Sequence, residues 1–124
     1  MPTIVHFDIP TDSIERAKKF YNALFGWKFE KWGGPVEYWL ITTKDGKGKK
    51  GVGGGMMQRQ DQQRQGILNY IDVNSVDRYM EKVKKLGGKV LLPKMAVPNV
   101  GYLAVCMDTE NNTFGIFEEN KKAK

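Results

Sequence analysis

Hydrophobic and polar residues alternate at the start of the chain, which is the pattern of a β-strand with one buried face. Over residues 3–9, Phe7 and Ile9 point to one side, and His6 and Asp8 point to the other. We therefore predict a first strand whose apolar side packs on the core. Its other side carries the only histidine of the chain.

A helix is predicted directly after this strand, because apolar residues then recur every three or four positions through residues 14–25. Asp12 and Glu15 have the spacing of a capping box, which predicts that the helix begins there. Gly26 follows the last apolar position. Glycine adopts positive φ without strain, so it is a typical residue for the end of a helix.

Three further strands complete the first half of the chain. They are predicted at residues 27–32, 36–43 and 52–60, and turns rich in glycine, lysine or proline separate them. The third of these strands contains three consecutive glycines, which in a strand mark a bulge or the close approach of another backbone. We interpret them as allowing curvature or a ligand beside the sheet. The polar stretch at 59–66 then interrupts the pattern and is predicted to be a linker.

The second half of the chain repeats the first. A strand at 67–73 and a helix at 76–86 precede three more strands at 89–93, 101–108 and 113–119. When the chain is shifted by half its length of 124 residues, 13–26 aligns with 75–88 without a gap. The identical pairs are Ser13/Ser75, Arg16/Arg78, Leu24/Leu86 and Gly26/Gly88.

The predicted fold class is therefore α+β, with two tandem βαβββ modules in one domain over residues 1–124. Module one spans 3–59, the linker spans 59–66, and module two spans 66–119. A short basic tail at 120–124 follows.

Composition and charge narrow the classes of function. Hydrophobic residues make up 40% and charged residues 27%, as in a globular protein, and no apolar run is long enough to cross a membrane. The net charge of +6 comes from lysines in turns, on a helix and in the tail, without interleaved aromatic residues. We therefore expect neither nucleic acid nor a membrane as a partner. With a single cysteine and no recognisable secretory signal, a cytoplasmic location is expected.

The chain resembles the vicinal oxygen chelate superfamily, which includes glyoxalase I, extradiol dioxygenases and bleomycin-resistance proteins. The resemblance rests on residues 5–29, 72–90 and 107–118. The last of these is similar to the family's Asp-Pro-Asp-Gly-Asn hairpin, with Thr109 where proline is usual. It implies that each module curves into a half-barrel sheet, that the two sheets enclose a cleft, and that chains commonly pair as homodimers.

The resemblance also implies four metal-ligand positions, one on the first and one on the last strand of each module. His6 fills one of them. The other three carry no ligating side chain: Leu68, Gly115 and Gly53, the last replaced by Gly54 or Gly55 if the alignment slips. A catalytic divalent metal generally needs about three protein ligands. We therefore expect no metal and no other cofactor.

His6 is then the candidate catalytic residue, as a general base or as a hydrogen-bond donor to a ligand. The alternative is a pocket histidine without an active role. Asp8, two residues along the same strand face, would either orient His6 or lie in water at the edge of the sheet. Cys106 shares a strand face with Tyr102 and Ala104, which indicates a small buried residue rather than a nucleophile.

Four further residues are predicted to face a ligand with His6 and Asp8. Leu68 and Tyr70 are predicted by the repeat to face the cleft, because they correspond to His6 and Asp8. Met57 and Phe117 are an even number of residues from Gly53 and Gly115, so alternation places them on the same strand face as those ligand positions. Such a cleft suits a small, largely apolar molecule. The alternative is that the aromatic residues simply fill the interior.

Three functions from different classes follow from these residues. The first is metal-independent binding of a small molecule in the cleft between the modules. The second is a lyase or isomerase that uses His6 as a general base. The third is a dimeric interaction module whose cleft is residual.

Overall fold

The computed structural model describes residues 2–60 and 66–124. Its elements follow in the order β1 (Ile4–Thr11), α1 (Ile14–Phe25), β2 (Lys28–Lys31), β3 (Tyr38–Thr42), β4 (Gly53–Gln58), β5 (Leu68–Asp72), α2 (Val76–Lys85), β6 (Lys89–Val97), β7 (Gly101–Met107) and β8 (Thr113–Glu119). The order βαβββ occurs twice, so the predicted α+β class is confirmed. The predicted linker at 59–66 lies mainly outside the described residues.

The chain forms two compact units with the same strand order. The N-terminal unit is His6–Ile67, and the C-terminal unit is Leu68–Lys124 together with the first five residues. The N-terminal unit orders its strands β2-β3-β4-β1, and the C-terminal unit orders them β6-β7-β8-β5. In each unit the first strand runs parallel to the last, and the other pairs are antiparallel.

The two helices begin in the same way. The hydroxyl of Ser13 accepts the backbone N–H of Arg16 at 3.3 Å, and Ser75 accepts that of Arg78 at 3.2 Å. The prediction that the first helix begins at Asp12 was therefore wrong by one residue. The Asp12 carboxylate instead lies 3.7 Å from the guanidinium of Arg59.

The core of the N-terminal unit lies between α1 and its sheet. It consists of buried Ile9, Ile14, Ile41 and Met56, with Phe7 packed against them. The predicted alternation of β1 is confirmed, because Phe7 and Ile9 face the helix while His6 and Asp8 face away. Met56 is completely buried. Removal of such a side chain costs about 2–5 kcal/mol.

The core of the C-terminal unit is formed in the same manner by α2 and β7–β8. Val76, Ala104 and Cys106 are completely buried there, and Ile116 is nearly so. The prediction that Cys106 is a small buried residue is confirmed. Burial raises the pKa of its thiol, which disfavours the thiolate that a nucleophile requires.

β6 is longer than the sequence predicted. It continues through Pro93 to Val97, with irregular pairing between Leu92 and Met95. Proline is tolerated at a bulge on an edge strand, and β6 ends the sheet on that side. Among the described residues, neither helix has the length and apolar character needed to span a bilayer.

Candidate functional site

The candidate site lies on the face of the N-terminal sheet that points away from α1, called here the open face. Strand pairing places His6 beside Gly53, Asp8 beside Gly55, and Tyr38 beside Met57. Paired residues project to the same side of a sheet. Of the residues predicted to face a ligand, His6, Asp8 and Met57 therefore share one face.

Three polar side chains meet on the open face and form what we call the His6–Asp8–Tyr38 cluster. The hydroxyl of Tyr38 donates to Asp8 Oδ1 at 2.6 Å. His6 Nε2 lies 3.0 Å from the same oxygen and 2.6 Å from the Tyr38 hydroxyl oxygen. The side chains of His6 and Asp8 are 33% and 15% exposed, so a bound molecule can reach both.

These contacts assign the proton of a neutral His6 ring. A carboxylate oxygen can only accept, and the Tyr38 hydroxyl uses its single proton on Asp8. Nε2 therefore carries the hydrogen and donates it to Asp8 and to the Tyr38 oxygen. In this tautomer the lone pair of the ring lies on Nδ1.

Apolar side chains surround the cluster on the same sheet. Trp32 meets Tyr38 edge to face, with ring centroids 5.9 Å apart. Leu40 and Met57 project from β3 and β4 on the open face, and Leu40 is 37% exposed. A few convergent polar groups within an apolar surface are typical of a small-molecule site.

Gly55 makes room for the Tyr38 ring. A Cβ atom at position 55 would overlap the hydroxyl and the adjacent ring atoms of Tyr38. The glycines of β4 were interpreted as allowing curvature or a ligand beside the sheet, but the group over Gly55 is the phenol of Tyr38. Tyr38 was missing from the predicted site, because only the pairing of β3 with β4 brings it over Gly55 and beside His6.

The residues around His6 do not fit the metal that the superfamily's metal-dependent members bind. On the open face, the strand partners of His6 and Asp8 are Gly53 and Gly55, neither of which has a side chain that could bind a metal. Gly54 pairs with Phe7 and therefore faces α1. The phenol of Tyr38 occupies the space that a side chain at 55 would need. In the described part of the chain, no three His, Cys, Asp or Glu side chains are grouped so that they could hold a metal ion.

The other three predicted ligand-facing residues belong to the C-terminal unit. Leu68 and Tyr70 lie on β5, and Phe117 lies on β8, where Gly115 pairs with Tyr70 and Leu103 pairs with Phe117. A Cβ at Gly115 would overlap the Tyr70 ring. Each unit therefore has a tyrosine ring over a glycine of its last strand. Tyr70 is buried, and Leu68 and Phe117 are half-buried.

The sequence is similar to bleomycin-resistance and glyoxylase-like proteins. Residues 3–42 match the family described as bleomycin resistance protein-like N-terminal. A glyoxylase-like domain-containing protein of Didymella fabae is 32% identical over 112 residues, which cover 88% of each chain. A putative glyoxylase, CFP32, of Mycobacterium bovis is 29% identical over 119 residues. The alignment covers 92% of the present chain but only 44% of the mycobacterial protein.

Solved structures share the fold at low sequence identity. The hypothetical protein BH1468 of Bacillus halodurans C-125 has a TM-score of 0.70 and 16% identity, with 99% of the present chain and 98% of that chain covered. A methylmalonyl-CoA epimerase of Streptomyces coelicolor has a TM-score of 0.69 and 14% identity, with 94% and 96% covered. At this identity the similarity establishes the fold alone.

Proposed function

The chain belongs to the vicinal oxygen chelate superfamily, as a glyoxylase-like member, and from this premise we propose that it binds a small, largely apolar molecule without a metal. The ligand would lie on the open face of the N-terminal sheet. His6, Asp8 and Tyr38 would supply the polar contacts, and Met57 and Leu40 the apolar ones.

The observation that carries this proposal is the His6–Asp8–Tyr38 cluster. The side chains of His6 and Asp8 lie on the open face and are partly exposed, so a ligand can reach them. Here Tyr38 hydrogen-bonds with both of them, and Gly55 leaves the space for its ring. The arrangement fixes the direction of each polar group before a ligand arrives, which lowers the entropy cost of binding.

Leu68, Tyr70 and Phe117 remain predicted ligand contacts in the C-terminal unit. Their support is the repeat, because the sheet of that unit places all three on the face away from α2. Substitutions there need to be tested separately from those in the cluster.

A thermal-shift screen of small molecules, run with EDTA and with added divalent metals, tests the proposal. A ligand that binds only the folded state raises its stability by about 2.7 kcal/mol at 100 times Kd. We expect hits whose shift does not depend on metal. Tyr38→Phe should weaken them by about 0.5–1.5 kcal/mol, the value of one hydrogen bond.

Tyr102→Phe is the matched control, since Tyr102 packs against the core of the other unit on the side of α2. It should leave the thermal shift of each hit unchanged. Hits that need a metal, or hits equally weakened by Tyr38→Phe and Tyr102→Phe, would contradict the proposal.

A second candidate function is proton transfer by a lyase or isomerase with His6 as the base. The specific observation in its favour is the placement of the ring proton on Nε2 by Asp8 and Tyr38. In the proposed step, the C–H bond next to a ligand carbonyl breaks and its proton moves to Nδ1. The electron pair moves onto the carbonyl oxygen as an enolate, and Asp8 stabilises the imidazolium.

Exchange of ligand protons in D2O distinguishes this candidate from simple binding. Methylmalonyl-CoA is a suitable first probe, because the enzymes that share the fold include an epimerase of that compound. Loss of its α-proton signal in NMR spectra, abolished by His6→Ala and retained in Tyr102→Phe, would support catalysis. A ligand that binds the open face without exchange would leave binding as the function.

We also propose that the chain acts as a homodimer in the cytoplasm. The dimer is supported by the frequency of homodimers in the superfamily. It is also supported by the two outer strands, β2 and β6, which pair on one side only among the described residues. The support for a reducing compartment is Cys106, a free buried thiol. A monomeric mass in solution at tens of micromolar would contradict the dimer, and would with it remove the third function, that of a dimeric interaction module.

A further inference from the structure

A groove of about 250 Å³ lies between α2 and the sheet of the C-terminal unit. We call it the α2 groove. It is on the helix side of its sheet, whereas the proposed ligand face of the N-terminal unit is the side away from its helix. Its wall is apolar except for Lys82 and is formed mainly by Ile71, Tyr79, Val83, Leu86, Phe114 and Ile116.

In the N-terminal unit an aromatic ring covers the corresponding groove only at its end nearest the C-terminus of α1, and the other end stays open beside Thr11, Ala17 and Phe20. Trp27 lies flat on Tyr21 of α1, with ring centroids 5.0 Å apart and planes at 9°. It also packs against Phe7 and against the buried core of that unit. By the repeat, Tyr21 corresponds to Val83, which is part of the wall of the α2 groove.

The C-terminal unit has no side chain in the position of Trp27. α1 ends at Gly26 with φ of 74°, and Trp27 is the next residue. After α2 the left-handed residue is Gly87, with φ of 95°, so Gly26 corresponds in the structure to Gly87 and not to Gly88, with which the sequence repeat paired it. Beyond the helices the two units are therefore related by a shift of 61 residues, and the counterpart of Trp27 is Gly88. A Cβ at Gly88 would come within 2.6 Å of the Met107 carbonyl oxygen, so this position cannot carry a ring of its own.

Size and exposure indicate that the wall of the groove accepts an added ring. An apolar cavity of about 150 Å³ binds benzene. The α2 groove is larger, at about 250 Å³. Leu86 at its edge is 78% exposed, a high value for a leucine beside a core, and a bound ring would cover part of that surface.

The positive charge at the edge of the groove favours a ligand with an acidic group. The ammonium group of Lys82 stands 4.7 Å from the centroid of the Tyr79 ring. In the described ranges its neighbour Lys84 pairs with Glu81, but no carboxylate pairs with Lys82. Lys84 is paired and does not line the groove, so Lys82 is the cation at its edge. A carboxylate at this edge would gain from the positive charge of Lys82.

We propose that the α2 groove is a second binding site, for a small planar aromatic carboxylate. The ring would lie on Val83, Phe114 and Leu86, as the Trp27 ring lies on Tyr21 in the other unit. The carboxylate would meet Lys82. The site is independent of the ligand proposed for the open face.

Titration of the ¹H–¹⁵N NMR spectrum with indole-3-carboxylate and with indole tests this site. The two probes share the ring of Trp27 and differ in charge. We expect saturable shifts of amides in α2 and β8 with both probes, and tighter binding of the carboxylate. Shifts confined to β1, β3 and β4, or shifts that do not saturate, would overturn the proposal.

Lys82→Gln should raise the Kd of indole-3-carboxylate about threefold, the effect of one exposed ion pair, and leave that of indole unchanged. Lys84→Gln is the matched control, because Lys84 is on the same turn but does not line the groove. Equal effects of the two variants would overturn the role of Lys82.

Val83→Trp tests the groove itself. This variant, checked for a folded spectrum, should abolish binding of both probes by filling the groove, and unchanged binding would overturn the site.

Discussion

The hydroxyl of Tyr38 lies over the backbone of Gly55, at the point where any side chain of residue 55 would begin. The two residues belong to adjacent strands, and Gly55 also pairs with Asp8, the acceptor of the Tyr38 hydroxyl proton. The glycine and the tyrosine therefore act as one unit. The small residue sets the position of the ring, and the ring adds a second partner, beside Asp8, for His6 Nε2.

Gly55→Ala should disrupt this arrangement. The added methyl group would overlap the Tyr38 phenol, so the ring must move away. This movement breaks the two hydrogen bonds that the hydroxyl makes in the cluster. Overpacking of this kind costs about 1–3 kcal/mol. Urea unfolding should show that loss of stability, and ligands of the open face should bind more weakly.

A double-mutant cycle identifies Tyr38 as the cause. In a Tyr38→Ala background, Gly55→Ala should be neutral or should stabilise by up to about 1 kcal/mol, because alanine restricts the unfolded chain. Gly53→Ala is the control on the same strand, where the nearest atom to the new methyl group is the Ile41 carbonyl oxygen at 3.2 Å. Additive effects of the two substitutions would mean that the ring does not depend on Gly55.

The neutral His6 ring should carry its proton on Nε2. Long-range ¹H–¹⁵N correlation spectra report this tautomer directly, and the chain has only one histidine, so the signals need no assignment. Tyr38→Phe should retain the Nε2–H form, since Asp8 still accepts from Nε2 at 3.0 Å. An Nδ1–H ring in the unmodified protein would contradict the cluster and remove the support for His6 as a base.

The repeat explains why the fold was predictable and the site only partly so. The periodicity of each half predicted the helices to within a residue, because each must bury an apolar side on its own sheet. His6, Asp8 and Met57 followed from the parity of single strands. Tyr38 could not be found in this way, because its place in the cluster depends on the pairing of β3 with β4, which alternation along one strand does not encode.

The smaller errors have local causes. Asp12 and Ser13 are both good helix caps, and the geometry of the chain, not its composition, decides that the Ser13 hydroxyl faces the Arg16 N–H. The predicted strand at 89–93 ended too early, because β6 is an edge strand, whose outer N–H groups need no partner in the sheet, and it continues past Pro93. In both cases a residue's neighbours in space determined the outcome.

The pH dependence of stability should contain a contribution from Cys106. Burial raises the pKa of its thiol above the value in the unfolded chain, so the folded state binds the proton more tightly. This stabilisation is complete below the pKa of the unfolded thiol and is lost as the pH rises through that of the folded one. The urea midpoint should therefore decline at alkaline pH, and Cys106→Ala should make that decline shallower.

Thiol labelling provides a second measurement on the same residue. Iodoacetamide at pH 8 should leave the native chain unmodified for hours, because Cys106 is completely buried, and should label it fully in urea. Rapid labelling of the native protein would show that the thiol is accessible, and would reopen the interpretation of Cys106 as a nucleophile.

The protein should purify without stoichiometric zinc, nickel, manganese or iron. His6 has Gly53 beside it in the sheet, and the space at Gly55 is taken by Tyr38, so a metal at His6 would need water in place of the missing side chains. The protein would then bind the metal about as weakly as a single imidazole does. His6→Ala should leave the fold intact, since His6 lies outside the buried core of its unit, and should cost about 0.5–1.5 kcal/mol for each hydrogen bond that is lost. Elemental analysis that finds about one metal ion per chain, lost in His6→Ala but retained in Tyr102→Phe, would overturn the metal-free site and require new ligands around His6.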